Sequence, residues 1–311
     1  MGAEEQETVA GHPPGPSRGP EESPGRLGPY VIERELARGG MGVVYVARHV
    51  TLDRRVALKV LLAGAEGPKG EGAVRFVREA RVLAGLKHPG IVTLHDSGEE
   101  GGRRWMALEL VAGGSLQARL DREGPLEPTA AVTLLLAVAD ALAAAHAQGL
   151  LHRDLKPANV LQDERGAPKL TDFGIAKELD SRSEALTATG AAVGTPSFAP
   201  PEQCGSDQPI DARADVYGLG ATLYALLTGR PPFVGTFAEV VGQLLRRDPE
   251  PPSAHRPGVP EALDRVVLRC LEKEPAARYP TALALRHELE RFLRDEPLQV
   301  QPPTLAQHWR R

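Results

Sequence analysis

His152-Arg153-Asp154-Leu155-Lys156-Pro157-Ala158-Asn159, with Asp172-Phe173-Gly174 beginning thirteen residues after Asn159, is the stretch that decides how this chain folds. It sets two carboxylates, an amide and an amine at the spacing that phosphoryl transfer from ATP requires. Asp154 is suited to orient a hydroxyl and take its proton, and Lys156 to neutralise charge on the moving phosphoryl group. Asn159 and Asp172 offer hard oxygen ligands for Mg²⁺, an ion usually held by one or two carboxylates plus phosphate oxygens. The competing reading, a polar turn with a chance Asp-Phe-Gly, weakens as matching residues accumulate upstream.

The first of these is the glycine cluster Leu36-Ala37-Arg38-Gly39-Gly40-Met41-Gly42-Val43-Val44. A dinucleotide fingerprint must open a helix whose N-terminus faces the pyrophosphate. Here the glycines open into Val43-Val44-Tyr45-Val46, a strand pattern. No Gly-Lys-Ser/Thr follows, so the loop is not of Walker type. A glycine-rich hairpin folding over phosphates fits, because backbone without side chains approaches the oxygens closely. Lys59 lies at the centre of the apolar run Val56-Ala57-Leu58-Lys59-Val60-Leu61, where a charge is costly unless paired. Its expected partner is Glu79, on the inward edge of the helical pattern that follows; Glu71 stands at the frayed start of that helix. Such a pair would hold Lys59 against the α- and β-phosphates.

Residues 1–27 are rich in Gly, Pro and Glu, with almost no large apolar side chain, and are expected to form a disordered tail. A first lobe is expected over 28–112. It contains strand-like runs at 42–47 and 56–61, a helix over 72–86 stopped by His88-Pro89-Gly90, and runs at 91–95 and 105–111 flanking a polar turn at 99–102. From 113 to 296 the pattern turns helical. The stretch 129–148 is entered after Pro128 and closed by Gly149. The stretch 214–228 is apolar nearly all round, as a buried helix is, and 261–272 and 281–294 are amphipathic. Residues 297–311 read as a short tail. The fold class is therefore α+β: a small antiparallel sheet lobe with one helix, and a larger, mostly helical lobe.

The chain has 311 residues, 25% of them charged, and a net charge of −4, which predicts neither nucleic acid nor an acidic membrane as a partner. Cys204 and Cys270 form no CxxC or metal-type cluster and read as reduced thiols of a cytoplasmic protein. No run of about 18 apolar residues stands out, so no transmembrane helix is expected. The acidic N-terminus lacks the apolar core of a signal peptide. Met1-Gly2 opens like a myristoylation site, but Gln6 stands where Ser or Thr is required.

Taken in order, these residues resemble the protein kinase family over about residues 28–296. Ala37-x-Gly39-x-x-Gly42-x-Val44, Val56-Ala57-Leu58-Lys59, the His-Arg-Asp loop and Asp-Phe-Gly match its signature set. The Gly-Gly-Met-Gly-Val-Val-Tyr wording is similar to that of bacterial serine/threonine kinases of eukaryotic type. The resemblance implies a bilobal protein-kinase-like fold. It also implies transfer from ATP, with Mg²⁺ or alternatively Mn²⁺, to serine or threonine hydroxyls of proteins, including the chain's own activation segment. A nucleotide-binding pseudokinase scaffold is the alternative, disfavoured because Lys59, Asp154 and Asp172 are all retained. A small-molecule phosphotransferase is disfavoured by the segment from Gly194-Thr195-Pro196 to Pro201-Glu202.

By the same resemblance, Asp154 is the base, assisted by Lys156. Lys59, fixed by Glu79, contacts phosphates, and Asn159 and Asp172 bind the metal. Residues Leu36 to Val44 cover the nucleotide. Adenine lies between Leu36, Val44 and Ala57 above and Leu161 below, against the backbone of Glu109-Leu110-Val111, with Leu108 behind. Leu83, Leu94, His152 and Phe173 match a stack linking the lobes. Thr187 and Thr189 are the regulatory phosphorylation candidates, with Arg153 as phosphate receptor. Thr195 is expected to select the acceptor, Asp215 to brace the catalytic loop, and Glu202 and Arg278 to pair. A homodimer for trans-autophosphorylation is a further implication. Two departures from the family pattern are Ala37, where glycine is usual, and Pro200, which cannot donate a backbone hydrogen bond.

Overall fold

A computed structural model of the chain describes residues 25–39, 42–61, 71–173, 196–205 and 209–300, without the side chains of 71–73, 75, 78 and 79. Among the described residues the small lobe is a six-stranded antiparallel sheet in the order β1-β2-β3-β4-β6-β5. Its strands are β1 (Arg26–Leu27), β2 (Tyr30–Arg38), β3 (Gly42–His49), β4 (Arg54–Leu61), β5 (Leu94–Glu100) and β6 (Arg103–Glu109).

Strand alternation sorts the sheet into two faces. Val43, Tyr45 and Ala47 of β3, Val56, Leu58 and Val60 of β4, and Trp105 and Ala107 of β6 form one apolar layer, covered by Leu27 and Tyr30. The other face carries Val44, Lys59 and Met106, which are direct cross-strand partners. The unbroken apolar run around Lys59 is thus two interleaved faces, and Leu58 and Val60 turn away from the lysine. Helix α1 (Glu71–Gly85) packs Phe76 and Ala80 against Leu61 and Met106 on the lysine side.

Two expectations about the small lobe are corrected. Arg26 and Leu27, read as the end of a tail, pair with Val31 and Tyr30. Leu27, 3% exposed, is the single apolar residue that draws this segment into the sheet. The polar stretch read as a turn from 99 is strand through Glu100; only Gly101 and Gly102 turn, at φ 57° and 73°. The strand is an edge, where polar residues are tolerated, and a Cβ on its Gly98 would come within 2.4 Å of Trp105.

The large lobe comprises α2 (Leu116–Glu123), α3 (Pro128–His146), the hairpin β7 (Val160–Gln162) and β8 (Pro168–Leu170), α4 (Ala212–Thr228), α5 (Phe237–Arg246), α6 (Pro252–His255), α7 (Glu261–Cys270) and α8 (Ala282–Leu293). Helix α4 is the axis. Asp211 caps it through the Arg213 N–H, Gly229 closes it at φ 77°, and every residue from Ala214 to Leu227 is buried. Its small residues admit neighbours closely: a Cβ on Gly218 would meet Leu155 at 2.9 Å, and one on Gly220 would meet Cys270 at 2.3 Å. The loop 152–159 is thereby pressed against one side of α4 and α7 against another.

Helix α3 ends at His146, two residues before the expected limit, and turns through Gly149 at φ 74°. Contrary to the composition reading, this 19-residue segment has the length and hydropathy of a membrane span; Thr129, Thr133 and Asp140 interrupt it. In the fold it packs against α4, α8 and β8. At the other end, residues 297–300 lie on the lobe, where the Val300 N–H donates to Glu288 Oε1 at 2.7 Å.

Candidate active site

The loop 152–159 is held in an unusual backbone shape by one buried carboxylate. Arg153 sits at φ 62°, a left-handed conformation that non-glycine residues adopt at a cost. Asp215 offsets that cost. Its Oδ2 accepts the His152 N–H and its Oδ1 the Arg153 N–H, both at 2.7 Å. His146 Nε2 lies 2.9 Å from the same Oδ2. Asp215 is 1% exposed, so these bonds act without competition from water.

His152 is fully buried and uses both ring nitrogens. Nε2 donates to the Thr171 carbonyl at 3.0 Å, and Nδ1 accepts the Asp154 N–H at 3.3 Å. That pattern is the neutral Nε2–H tautomer, and burial holds the imidazole's proton affinity below its ordinary value. The ring also stacks on Phe173, with centroids 4.7 Å apart. Phe173, Leu83 and Leu94 meet in one continuous apolar core, as the family resemblance implied.

Asp154 emerges from this platform with its Oδ2 accepting from Lys156 Nζ and Asn159 Nδ2, each at 2.9 Å. Asn159 Nδ2 also donates to the Asp154 carbonyl at 2.8 Å. With its NH₂ group spent on Asp154, the amide's ligating atom is Oδ1. The Thr171 N–H donates to the Asn159 carbonyl at 3.1 Å, which ties Asn159 to the residue preceding Asp172. Asp172 adopts φ 54°, and its Oδ1 accepts from Lys59 Nζ at 2.9 Å. The Lys59 ammonium holds the Asp172 carboxyl below the usual carboxylate range. The expected partner of Lys59, Glu79, falls on α1, but its side chain lies outside the described ones; among the described side chains Asp172 lies against the lysine.

The residues expected to line an adenine slot come from both lobes. Val44 pairs with Lys59 across the sheet and with Ala37 on its other side, and Ala57 pairs with Leu108. Below, Leu161 on β7 bridges to Ser115, and Gln162 exchanges backbone bonds with Gly113 and Gly114 just past the lobe linker. Ala57, Val111 and Leu161 are half-buried against the same large core. Leu36 is 41% exposed at the rim.

One member of the expected nucleotide set turns its side chain to the outer layer. Val43 is 1% exposed within the outer apolar layer, so its side chain faces away from Lys59. Arg38, paired across the strands with Val43, bonds Glu35 at 2.6 Å. The Gly39 N–H donates to the Gly42 carbonyl at 2.9 Å, which links the facing ends of β2 and β3. Gly42 has a packing reason as well: a Cβ there would meet the Val60 carbonyl at 2.5 Å. Gly40, Met41, Gly174, Thr187, Thr189 and Thr195 lie outside the described residues.

Both departures are accommodated. Ala37 is strand backbone outside the left-handed region, next to a register shift, so its methyl group meets no conformational penalty. Pro200 caps the short turn Pro201–Gln203 at φ −77°, a proline-compatible angle, and accepts the Gln203 N–H. Glu202, in that turn, makes two bonds to Arg278 at 2.6 and 2.8 Å, with both side chains at 1% exposure or less. Arg278 also donates to the carbonyls of Glu272, Arg213 and Lys273, so all five of its N–H groups are used.

Besides Lys59 on Asp172, two contacts were not anticipated from sequence. One is His146 on Asp215. The other is Lys169, which joins the linker residue Glu109 at 2.9 Å. A lysine in a short strand just ahead of Asp-Phe-Gly was the available signal for the second.

The protein kinase domain model matches residues 30–289. The chain is 41% identical over 274 residues to the serine/threonine-protein kinase PknB of Mycobacterium tuberculosis, covering 86% of this chain and 43% of that protein. It is 42% identical over 258 residues to the serine/threonine-protein kinase PknH of Mycobacterium bovis, covering 82% and 42%. It therefore spans less than half the length of the curated relatives it matches. Among solved structures, the PknI kinase domain of Mycobacterium tuberculosis aligns at a TM-score of 0.67 and 32% identity, over 85% of this chain and 95% of that one. The sheet lobe and the helical lobe agree with these matches: the chain belongs to the protein kinase domain family.

Proposed function

We propose that this chain transfers the γ-phosphoryl group of ATP to serine and threonine hydroxyls of proteins, with Mg²⁺ or Mn²⁺ as the divalent ion. The observation that carries the reading is Asp154, whose carboxylate is aimed by Lys156 and Asn159 from a loop braced on Asp215. An incoming hydroxyl is oriented by that carboxylate and gives up its proton to it as the oxygen bonds phosphorus and the bond to the β-phosphate oxygen breaks. Lys156, already beside Asp154, neutralises charge on the transferring group. Lys59 moves between Asp172 and the α- and β-phosphates, which compete for the same ammonium. Asn159 Oδ1 and the Asp172 carboxylate are hard oxygen donors that suit a divalent ion whose remaining ligands are phosphate oxygens. That ion would supply charge neutralisation on the phosphates.

Thr187 and Thr189 are the proposed autophosphorylation sites, with Arg153 as receptor, and Thr195 the proposed selector of the acceptor hydroxyl. The test is incubation of the purified chain with labelled ATP, Mg²⁺ or Mn²⁺ and a basic acceptor protein, beside the Asp154→Asn variant. Transfer to serine or threonine is expected, falling by about 10²–10⁴-fold in the variant. ATP-dependent thermal stabilisation with no transfer from either protein would establish the scaffold reading instead.

A further inference from the structure

The ammonium of Lys169 holds two residues, Pro89 and Glu109, across the boundary between the lobes. It reaches the Pro89 carbonyl at 2.9 Å, Glu109 Oε1 at 2.9 Å and Glu109 Oε2 at 3.2 Å. The lysine side chain is 14% exposed and the glutamate 29%, so the pair is largely shielded from solvent. Glu109 is the last residue of β6, where the chain leaves the sheet for the large lobe. Its own N–H donates to the Thr93 carbonyl at 2.8 Å, and its Oε2 accepts the Thr93 N–H at 3.3 Å. The linker is thus fastened on one side to the small lobe through Thr93 and on the other to β8 through Lys169.

The position of Lys169 within β8 gives this fastening a use. Its cross-strand partner is Leu161, the floor of the adenine slot. Three residues further along the chain is Asp172. The strand itself holds residues 90–92, through Leu170 N–H to the Gly90 carbonyl at 2.8 Å and Val92 N–H to the Leu170 carbonyl at 2.9 Å. One side chain therefore connects the linker against which adenine would lie to the hairpin that forms the floor beneath it.

We propose that Lys169 is a positioning residue that sets the spacing between the lobe linker and the floor of the adenine slot, an inference that rests on the reading of this cleft as a nucleotide site. Without the ammonium, Glu109 is held from the small-lobe side alone, and the linker must be ordered against the floor each time a nucleotide binds. Ordering cost of that kind is taken from affinity. Because the clamp acts on the base and not on the phosphates, its loss weakens adenosine and ATP alike.

The test is calorimetric titration of wild type, Lys169→Met and Lys169→Arg with MgATP and, separately, with adenosine. Methionine keeps the length of the side chain and removes its donors. Lys169→Met is expected to raise both dissociation constants by the same factor, about three- to tenfold, the scale of losing one charge-assisted contact. Lys169→Arg, which keeps charge and donors, is expected to recover most of the loss. Glu109→Gln breaks the same pair from the other side and serves if Lys169→Met does not fold; it should show equal losses for the two probes. Unchanged dissociation constants, tighter binding, or a loss confined to MgATP would overturn the role of Lys169 alone. A wild-type chain that binds neither probe would remove the nucleotide reading and this role with it.

Discussion

Replacing Arg278 by methionine should destabilise the large lobe by about 3–5 kcal/mol, the range for stripping one partner from a buried ion pair. Glu202 and Arg278 have side-chain exposures of 1% and 0%, so the stranded carboxylate has no route to water without local opening. The guanidinium also serves three carbonyls, those of Glu272, Arg213 and Lys273, and each loses a donor. A dry, unpaired carbonyl costs about 1–3 kcal/mol on its own, which places the expected value towards the upper end of the range. At the size of this lobe the shift corresponds to roughly 6–20 °C in Tm. Arg213 lies in the first turn of α4 and Asp215 two residues beyond it, so phosphoryl transfer measured well below the variant's Tm should fall as well. Urea unfolding followed by far-UV circular dichroism gives the stability, and the double variant Glu202→Leu/Arg278→Met should recover a large part of it, since no charge is then left buried. A loss below about 1 kcal/mol, or a double variant less stable than Arg278→Met, would refute the reasoning, because it would mean that the pair is solvated.

Gly220→Ala should destabilise by about 1–3 kcal/mol, because the new methyl group would meet the Cys270 Cβ at 2.3 Å between two buried helices; a thermal melt matching wild type would show that α4 and α7 slide apart freely. His152 stays neutral in the fold, its proton affinity held by burial below the ordinary 6.5. The unfolded chain takes up that proton as the pH drops through about 6.5, so folded-state stability decreases with acidification below that point. His152→Phe keeps a ring against Phe173 without the titrating group. Its stability should therefore change less between pH 7 and pH 5 than that of wild type, and parallel denaturation curves for the two proteins would contradict this.

Much of the site was legible because its residues act through short sequence distances. Asp154, Lys156 and Asn159 lie within six residues and bond one another directly. The brace from Asp215 and the Glu202–Arg278 pair were reachable only through the family resemblance, since nothing local links residues separated by 62 and 76 positions. The elements missed were those whose signals are short or polar. Helix α5 is short, and its signals are a capping box in which Thr236 and Glu239 exchange bonds and a two-turn apolar stripe that buries Val240 and Leu244. Arg26–Leu27 enters the sheet on the strength of one leucine. Val43 was assigned to the nucleotide because it belongs to the glycine-loop wording. Strand alternation, anchored by Tyr45, Val56 and Leu58 on the same face, turns its side chain outward. The Lys169 clamp escaped because Lys169 and Glu109 stand 60 residues apart and each reads as an ordinary surface charge.

The continuous core that buries Leu135, Tyr224 and Leu285 in the large lobe also takes in Leu83, Leu86, Ile91, Val92 and Leu108 from the chain before the linker. The separate layer of Leu27, Tyr30, Tyr45, Val56, Leu58 and Trp105 does not join it. Cooperative unfolding units follow shared burial more than chain order. Amide protons at 91–92 should then exchange with the slow set of α3 and α4, while those of β1 to β3 exchange earlier and together. A nucleotide seated under Val44 and over Leu161 would lie on the seam between these two units. It would act as a weld, so the slow exchange of the outer layer becomes a reporter of occupancy that needs no label on the ligand.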